Sequence, residues 1–184
     1  MKRFFLLFAS IVLLGTGCQE VLPLPTTPDS FITTRPMKLT SPAFTHEGSI
    51  PSTYTCDGEN ISPPLAISEV PEGTQSLALI MDDPDAMKPA GKVWDHWLVW
   101  NIDSNTTNIV AGEEPTGTHG TGTAGGQTYQ GPCPPDAEHR YSFRLYALDT
   151  MLDLPSGSTK ADLEQAMDGH ILVQTELAGK YNRK

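Results

Sequence analysis

Helical periodicity is nearly absent from this chain before residue 158, and its 16 glycines and 16 prolines, many of them clustered, punctuate it throughout. Proline removes a backbone donor and glycine is costly to order, so long helices do not survive such breaks. Short strands joined by turns do. The pattern predicts a mainly β fold, an antiparallel two-sheet β-sandwich with a short C-terminal helix. The expected strands are Met37 to Thr40, Leu65 to Ile67, Ser76 to Met81, His96 to Ile102 and Tyr141 to Asp149. Ser76 to Met81 is a continuous apolar run, as in a central strand covered on both faces. Tyr141, Phe143, Leu145 and Ala147 share one face of their strand. The helix follows Ser158 or Thr159 as N-cap, carries Asp162 and Glu164 near its start, and stops at Gly169. ILVQTELAGKY reads as a final strand, and Gly112 to Gln130 as a long irregular loop.

The N-terminus reads differently. Lys2 and Arg3 precede an apolar stretch, Phe4 to Leu14, too short to span a bilayer and suited to a secretory signal. It ends at Cys18 after Gly15, Thr16 and Gly17. That arrangement resembles a bacterial lipoprotein signal, which implies acylation of Cys18 as the new N-terminus. The alternative is a plain secretory signal with Cys18 incidental; Gly15 stands where lipoprotein signals prefer an aliphatic residue. Residues 18–36, with four prolines, read as an extended tether, and residues 37–184 as one domain. These boundaries place residues 1–17 in the signal. The expected location is the bacterial envelope, lipid-anchored with the domain in the periplasm. Gln19 after the cysteine favours the outer membrane.

Charge narrows the partners. Removing Lys2 and Arg3 with the signal takes the formal net charge from −10 to −12. Nucleic-acid binding needs clustered Lys and Arg, and the basic residues here are scattered apart from Lys180, Arg183 and Lys184. Cys56 and Cys133 lie 77 positions apart with no CxxC, which argues against a zinc knuckle. In an oxidising compartment they are candidates for one disulfide. Spacing alone leaves open whether they meet.

Four segments in series carry the chemistry: YTCDGENISPPL, DDPDAMKP with WDHW, YQGPCPP, and EHRYSFRLYALD. In this order and spacing they resemble the phosphatidylethanolamine-binding protein family, and within it the bacterial branch described as Raf-kinase-inhibitor-like. The resemblance runs from Met37 to Tyr181. It implies two antiparallel sheets, a short C-terminal helix and a small anion pocket at one end. Carried onto this chain, the pocket residues are Asp83, Asp85, His96, Cys133, Pro134, His139 and Tyr141, with Asp57 and Gly58 near its mouth. The family often has proline directly after DPDA, where this chain has Met87 and Lys88 before Pro89.

A phosphate-like group needs hydrogen-bond donors. His96, His139 and Tyr141 can donate, and backbone N–H groups of the Gly131 to Cys133 turn can join them. Asp83 and Asp85 would repel an anion. They make sense as acceptors from a histidine nitrogen, leaving the other ring nitrogen to face the ligand. Taken singly, each residue has a plainer reading. Asp83-Pro84-Asp85 is a stiff turn whose carboxylates cap backbone N–H groups. His96 is a satisfied structural histidine, Tyr141 is core, and Trp94, Trp97 and Trp100 are packing.

Together the resemblance and the residues predict a non-enzymatic binding protein for a small phosphorylated or anionic ligand of phosphoethanolamine type. They also suggest an effect on an unidentified protein partner. No cofactor and no metal are expected. Two other classes remain open. One is an envelope protease inhibitor. The other is a metal-dependent hydrolase, for which Asp82, Asp83, Asp85, His96 and His139 are suitable ligand types but lack HExxH or HxH spacing. A GxSxG nucleophile elbow is absent.

Overall fold

The computed structural model describes residues 36–183. The expected signal, Cys18 and all but the last residue of the tether lie outside the described residues.

The continuous apolar run becomes the middle of the molecule. Strand β4 (Ser76–Asp83) is buried along its whole length. It pairs antiparallel with β5 (Trp94–Asp103) on one side and β8 (His139–Leu148) on the other. Outside β8 lies β9 (Ile171–Tyr181), followed by the two-residue β2 (Gly48–Ser49). Outside β5 lies β7 (Thr118–His119), which completes a six-stranded sheet. The β2–β9 pair is parallel, a small departure from the expected antiparallel arrangement. A second sheet orders β1 (Lys38–Thr40), β3 (Leu65–Ser68) and β6 (Asn108–Ile109).

Alternation sends successive side chains to opposite faces of the large sheet. Leu77, Leu79 and Met81 join Phe143 and Leu145 in a core shared with Leu39, Leu65 and Ile67 of the small sheet. Ala78 and Ile80 join Leu98, Trp100 and Tyr146 in a second core. Helix α2 (Lys160–Met167) covers that second core with Leu163 and Met167. Covering on both faces is why β4 shows no polar alternation. Its polar residues stand at its ends. Ser76 donates to the carbonyl of Thr150, and Asp82 is buried against Arg144 and the α2 residue Lys160.

In β5 the alternation changes phase. Leu77 faces Ile102 and Leu79 faces Val99, so one extra residue is accommodated there as a bulge. Asn101 takes the left-handed conformation, φ 57°, and exchanges two hydrogen bonds with the backbone of Leu152. The bulge brings Ile102 onto the same core as Trp97 and Val99.

Thr159 is the helix cap. Its hydroxyl accepts from the N–H of Asp162, whose carboxylate accepts from the N–H of Thr159. The predicted 112–130 loop is irregular apart from β7, but it is pinned. Glu114 accepts from Trp97 Nε1 at 2.6 Å and from the N–H of Tyr129 at 2.8 Å. Two helical pieces were not anticipated from sequence: a 3-10 turn at Ser52–Tyr54, and a 3-10 turn at Pro84–Ala86 running into α1 (Met87–Ala90). No helix among the described residues is long and apolar enough to cross a membrane.

Candidate functional site

Antiparallel pairing gathers the C-terminal end of β4 and the N-terminal ends of β5 and β8 at one end of the large sheet. Asp83 pairs with Trp94, and Asp82 with Ser142. A cavity of about 240 Å³ opens there. Asp83, His96, His139 and Tyr141 form its polar floor, while Ala86, Pro89, Ala90 and Trp94 form an apolar side. The remaining wall is the 130–135 segment, contributed by Gln130, Gly131, Cys133 and Pro135.

That wall is held from several directions. Cys133 is disulfide-bonded to Cys56, and the N–H of Cys56 donates to the carbonyl of Pro132 at 3.1 Å. The N–H of Gly131 donates to Asn60 Oδ1 at 2.9 Å. Gly131 has no room for a side chain, because a Cβ there would lie 2.5 Å from the carbonyl oxygen of Tyr54.

The hydrogen bonds assign the polar floor. His96 Nδ1 sits 2.8 Å from the carbonyl of Gln130, which can only accept, so Nδ1 carries the proton. Burial pushes the His96 pKa down, against opposing pulls from Gln130 and nearby acids. His96 is therefore the neutral Nδ1–H tautomer, and its Nε2 is a lone pair. His139 is the opposite case. Its Nδ1 donates to Asp83 at 2.7 Å and its Nε2 to Asp136 at 2.9 Å. Burial alone would lower its pKa, but the two carboxylates overcome this and raise it above the ordinary histidine value. Two acceptors on two nitrogens make it an imidazolium.

Tyr141 lies between the two imidazoles, edge-on to His96 at 5.3 Å and roughly parallel to His139 at 6.4 Å. Its hydroxyl is enclosed near Asp83 and the backbone of Cys133. Among the described residues no hydrogen bond of good geometry satisfies it. Burial, reinforced by Asp83, raises its pKa, so it remains a phenol.

A family model described as phosphatidylethanolamine-binding protein matches residues 40–182. The chain belongs to the phosphatidylethanolamine-binding protein family. The UPF0098 protein of Methanothermobacter thermautotrophicus is 51% identical over 153 residues, covering 80% of this chain and 99% of that protein. The UPF0098 protein of Chlamydia pneumoniae is 46% identical with the same coverage. Among solved structures, a putative phosphatidylethanolamine-binding protein homologue from Chlamydia trachomatis superposes with a TM-score of 0.78 at 44% identity. It covers 81% of this chain and 99% of its own. Escherichia coli YbcL, described as a new member of the mammalian family, superposes at 0.75 with 31% identity, covering 82% and 100%. The fold is that of the family, a mainly β protein with two sheets and few helices.

Of the family positions assigned from sequence, the structure brings Asp83, His96, Cys133, His139 and Tyr141 together around the cavity. It places the other four outside its lining. Asp85 is exposed, and its carboxylate accepts from the N–H of Arg140 at 2.8 Å. Pro134 is buried behind the wall, and Pro135 lines the cavity instead. Asp57 is taken by Tyr181 and Arg183. Gly58 serves a close turn, where a Cβ would lie 2.2 Å from the carbonyl oxygen of Ser52. Both readings of the DPD turn meet in Asp83, which caps Ala86 with one oxygen and holds His139 with the other.

The expected donor roles need correction. Neither imidazole offers the N–H anticipated from sequence: His96 presents a lone pair, and Asp136 occupies the second nitrogen of His139. Sequence reasoning missed Asp136, which bonds His139 without lining the cavity, and the lining residues Gln130, Pro89 and Ala90. Trp97 and Trp100 are core, whereas Trp94 is half-buried at the cavity with Lys92 Nζ 5.8 Å from its ring centroid. No group of three His, Cys, Asp or Glu side chains among the described residues is arranged to hold a metal ion.

Proposed function

We propose that this chain is a non-enzymatic binding protein that takes a small oxyanion, of the phosphate-headgroup kind, into the cavity at the strand ends. The observation that carries the reading is the Tyr141 hydroxyl, enclosed beside a buried imidazolium and near Asp83 and the Cys133 backbone without a well-formed hydrogen bond. A buried hydroxyl without a well-formed hydrogen bond is costly, and a ligand oxygen would relieve that cost. His96 Nε2 and Asp83 add acceptors, which suits a ligand that also carries a proton, such as a phosphate monoanion or a hydroxyl. The apolar side, with Trp94, suits a ligand whose anion is attached to carbon. Anchorage in the bacterial envelope through acylated Cys18, with the domain in the periplasm, belongs to the same proposal and draws on the N-terminal sequence.

Calorimetry with inorganic phosphate and phosphoethanolamine tests the pocket. Binding should be measurable in the native protein and lost in Tyr141→Phe, which keeps the ring and removes the hydroxyl. Equal affinity in both proteins would remove Tyr141 from the site. Membrane fractionation of Cys18→Ser tests the anchor, since the variant should leave the membrane fraction.

A further inference from the structure

We propose that Asp136 is a built-in competitor for the anion site: its carboxylate holds the position on His139 that a bound oxyanion would take. This rests on the oxyanion-pocket reading and says how that pocket is kept closed to weak ligands.

The imidazolium of His139 has two N–H groups and two very different partners. Nδ1 donates to Asp83, whose side chain is 5% exposed and fixed by its second bond to the N–H of Ala86. That side of the ring cannot be released without opening the end of β4. Nε2 donates to Asp136, whose side chain is 49% exposed. Asp136 is three residues before His139, in an irregular segment, and among the described residues its carboxylate has no other hydrogen bond. It can rotate into water while the sheet stays intact.

The other polar groups of the cavity make Nε2 the donor that matters. His96 offers only a lone pair, and Tyr141 only one hydroxyl. An oxyanion that reached Tyr141 with Asp136 in place would face two carboxylates around a single imidazolium. Once Asp136 has swung out, the ligand itself completes the pair with His139. The carboxylate and the ligand therefore exclude each other at one nitrogen. Only an anion able to make that charge-assisted bond and a further contact, such as Tyr141, displaces the resident group.

The test compares the native protein with Asp136→Ala and Asp136→Asn, titrating inorganic phosphate and phosphoethanolamine by calorimetry. The ring nitrogens of His139 are followed by ¹⁵N NMR. Both variants should bind phosphate about tenfold more tightly, on the scale of one charge-assisted hydrogen bond. In the native protein, phosphate should move the Nε2 resonance and leave Nδ1 in place. If phosphate moves the His139 resonances but affinity is unchanged or weaker in both variants, Asp136 supports the imidazole and the competitor role is wrong, while the pocket reading stands. If none of the three proteins binds either anion, both readings fall together.

Discussion

Replacing Cys56 and Cys133 with serine should remove about 4.5 kcal/mol of stability. The bond closes a loop spanning 77 positions. The chain-entropy relation gives a loss of about 15 cal/mol/K for a loop of that length, or about 4.5 kcal/mol at 25 °C. The folded side of the balance should change little, because three other links hold the same two segments. The N–H of Cys56 bonds Pro132, the N–H of Gly131 bonds Asn60, and the Tyr129 hydroxyl donates to the carbonyl of Tyr54 at 2.8 Å. The effect thus falls on the unfolded chain, which gains the freedom that the cross-link denies it. Against the roughly 5–15 kcal/mol typical of a domain, the serine variant would be folded but marginal. Urea unfolding followed by tryptophan fluorescence measures the difference, and the variant's m-value should rise as its unfolded chain expands. A loss below about 1 kcal/mol with an unchanged m-value would refute the reasoning, because it would mean the unfolded chain keeps these segments together unaided.

Three further outcomes are expected. The stability difference between native protein and His139→Gln should be greatest below the ordinary histidine pKa of about 6.5. It should shrink as pH rises through the raised folded value, because a proton held more tightly by the folded state stabilises only while it is bound; urea melts across pH report this. Gly131→Ala should cost about 1–3 kcal/mol by overpacking, since its Cβ would meet Tyr54, Asn60 and Thr55 all within 3.0 Å. Leu163→Ala, on the inner face of α2 and fully buried, should cost about 2–5 kcal/mol in thermal or urea melts while leaving phosphate affinity intact.

Much of the architecture is legible in the sequence because burial leaves period and composition behind. The apolar run of β4, the alternation of Tyr141, Phe143, Leu145 and Ala147, and the Thr159–Asp162 cap each have a local signature. The strand ends are less legible, for a related reason. The expected strands began at His96 and Tyr141, but β5 starts at Trp94 and β8 at His139. Of the extra residues, Trp94 and His139 line the cavity, and the polarity of Asp95, His139 and Arg140 breaks the pattern that marks a strand. The site divides the same way. Asp83, His96, His139 and Tyr141 stand out by residue type and order. The proton on His96 is set by the carbonyl of Gln130, which any residue could supply. The second partner of His139 is a half-exposed aspartate in a turn. Neither leaves a trace in residue identity.

Asp82 and Asp83 are neighbours on one strand, yet one meets Arg144 and Lys160 while the other meets His139. A strand whose middle is apolar on both faces could slide by one position with little hydrophobic penalty, since either face accepts its side chains. The two aspartates remove that freedom. A slip in one direction would put Met81 against the cations of β8 and α2, and a slip in the other would put Pro84 opposite the imidazolium, so either slip leaves one buried charge without its partner. Ser76 fixes the other end through Thr150. The pocket's own carboxylate is thus also a register mark, so substitutions there should be judged for misaligned sheets as well as for lost ligand.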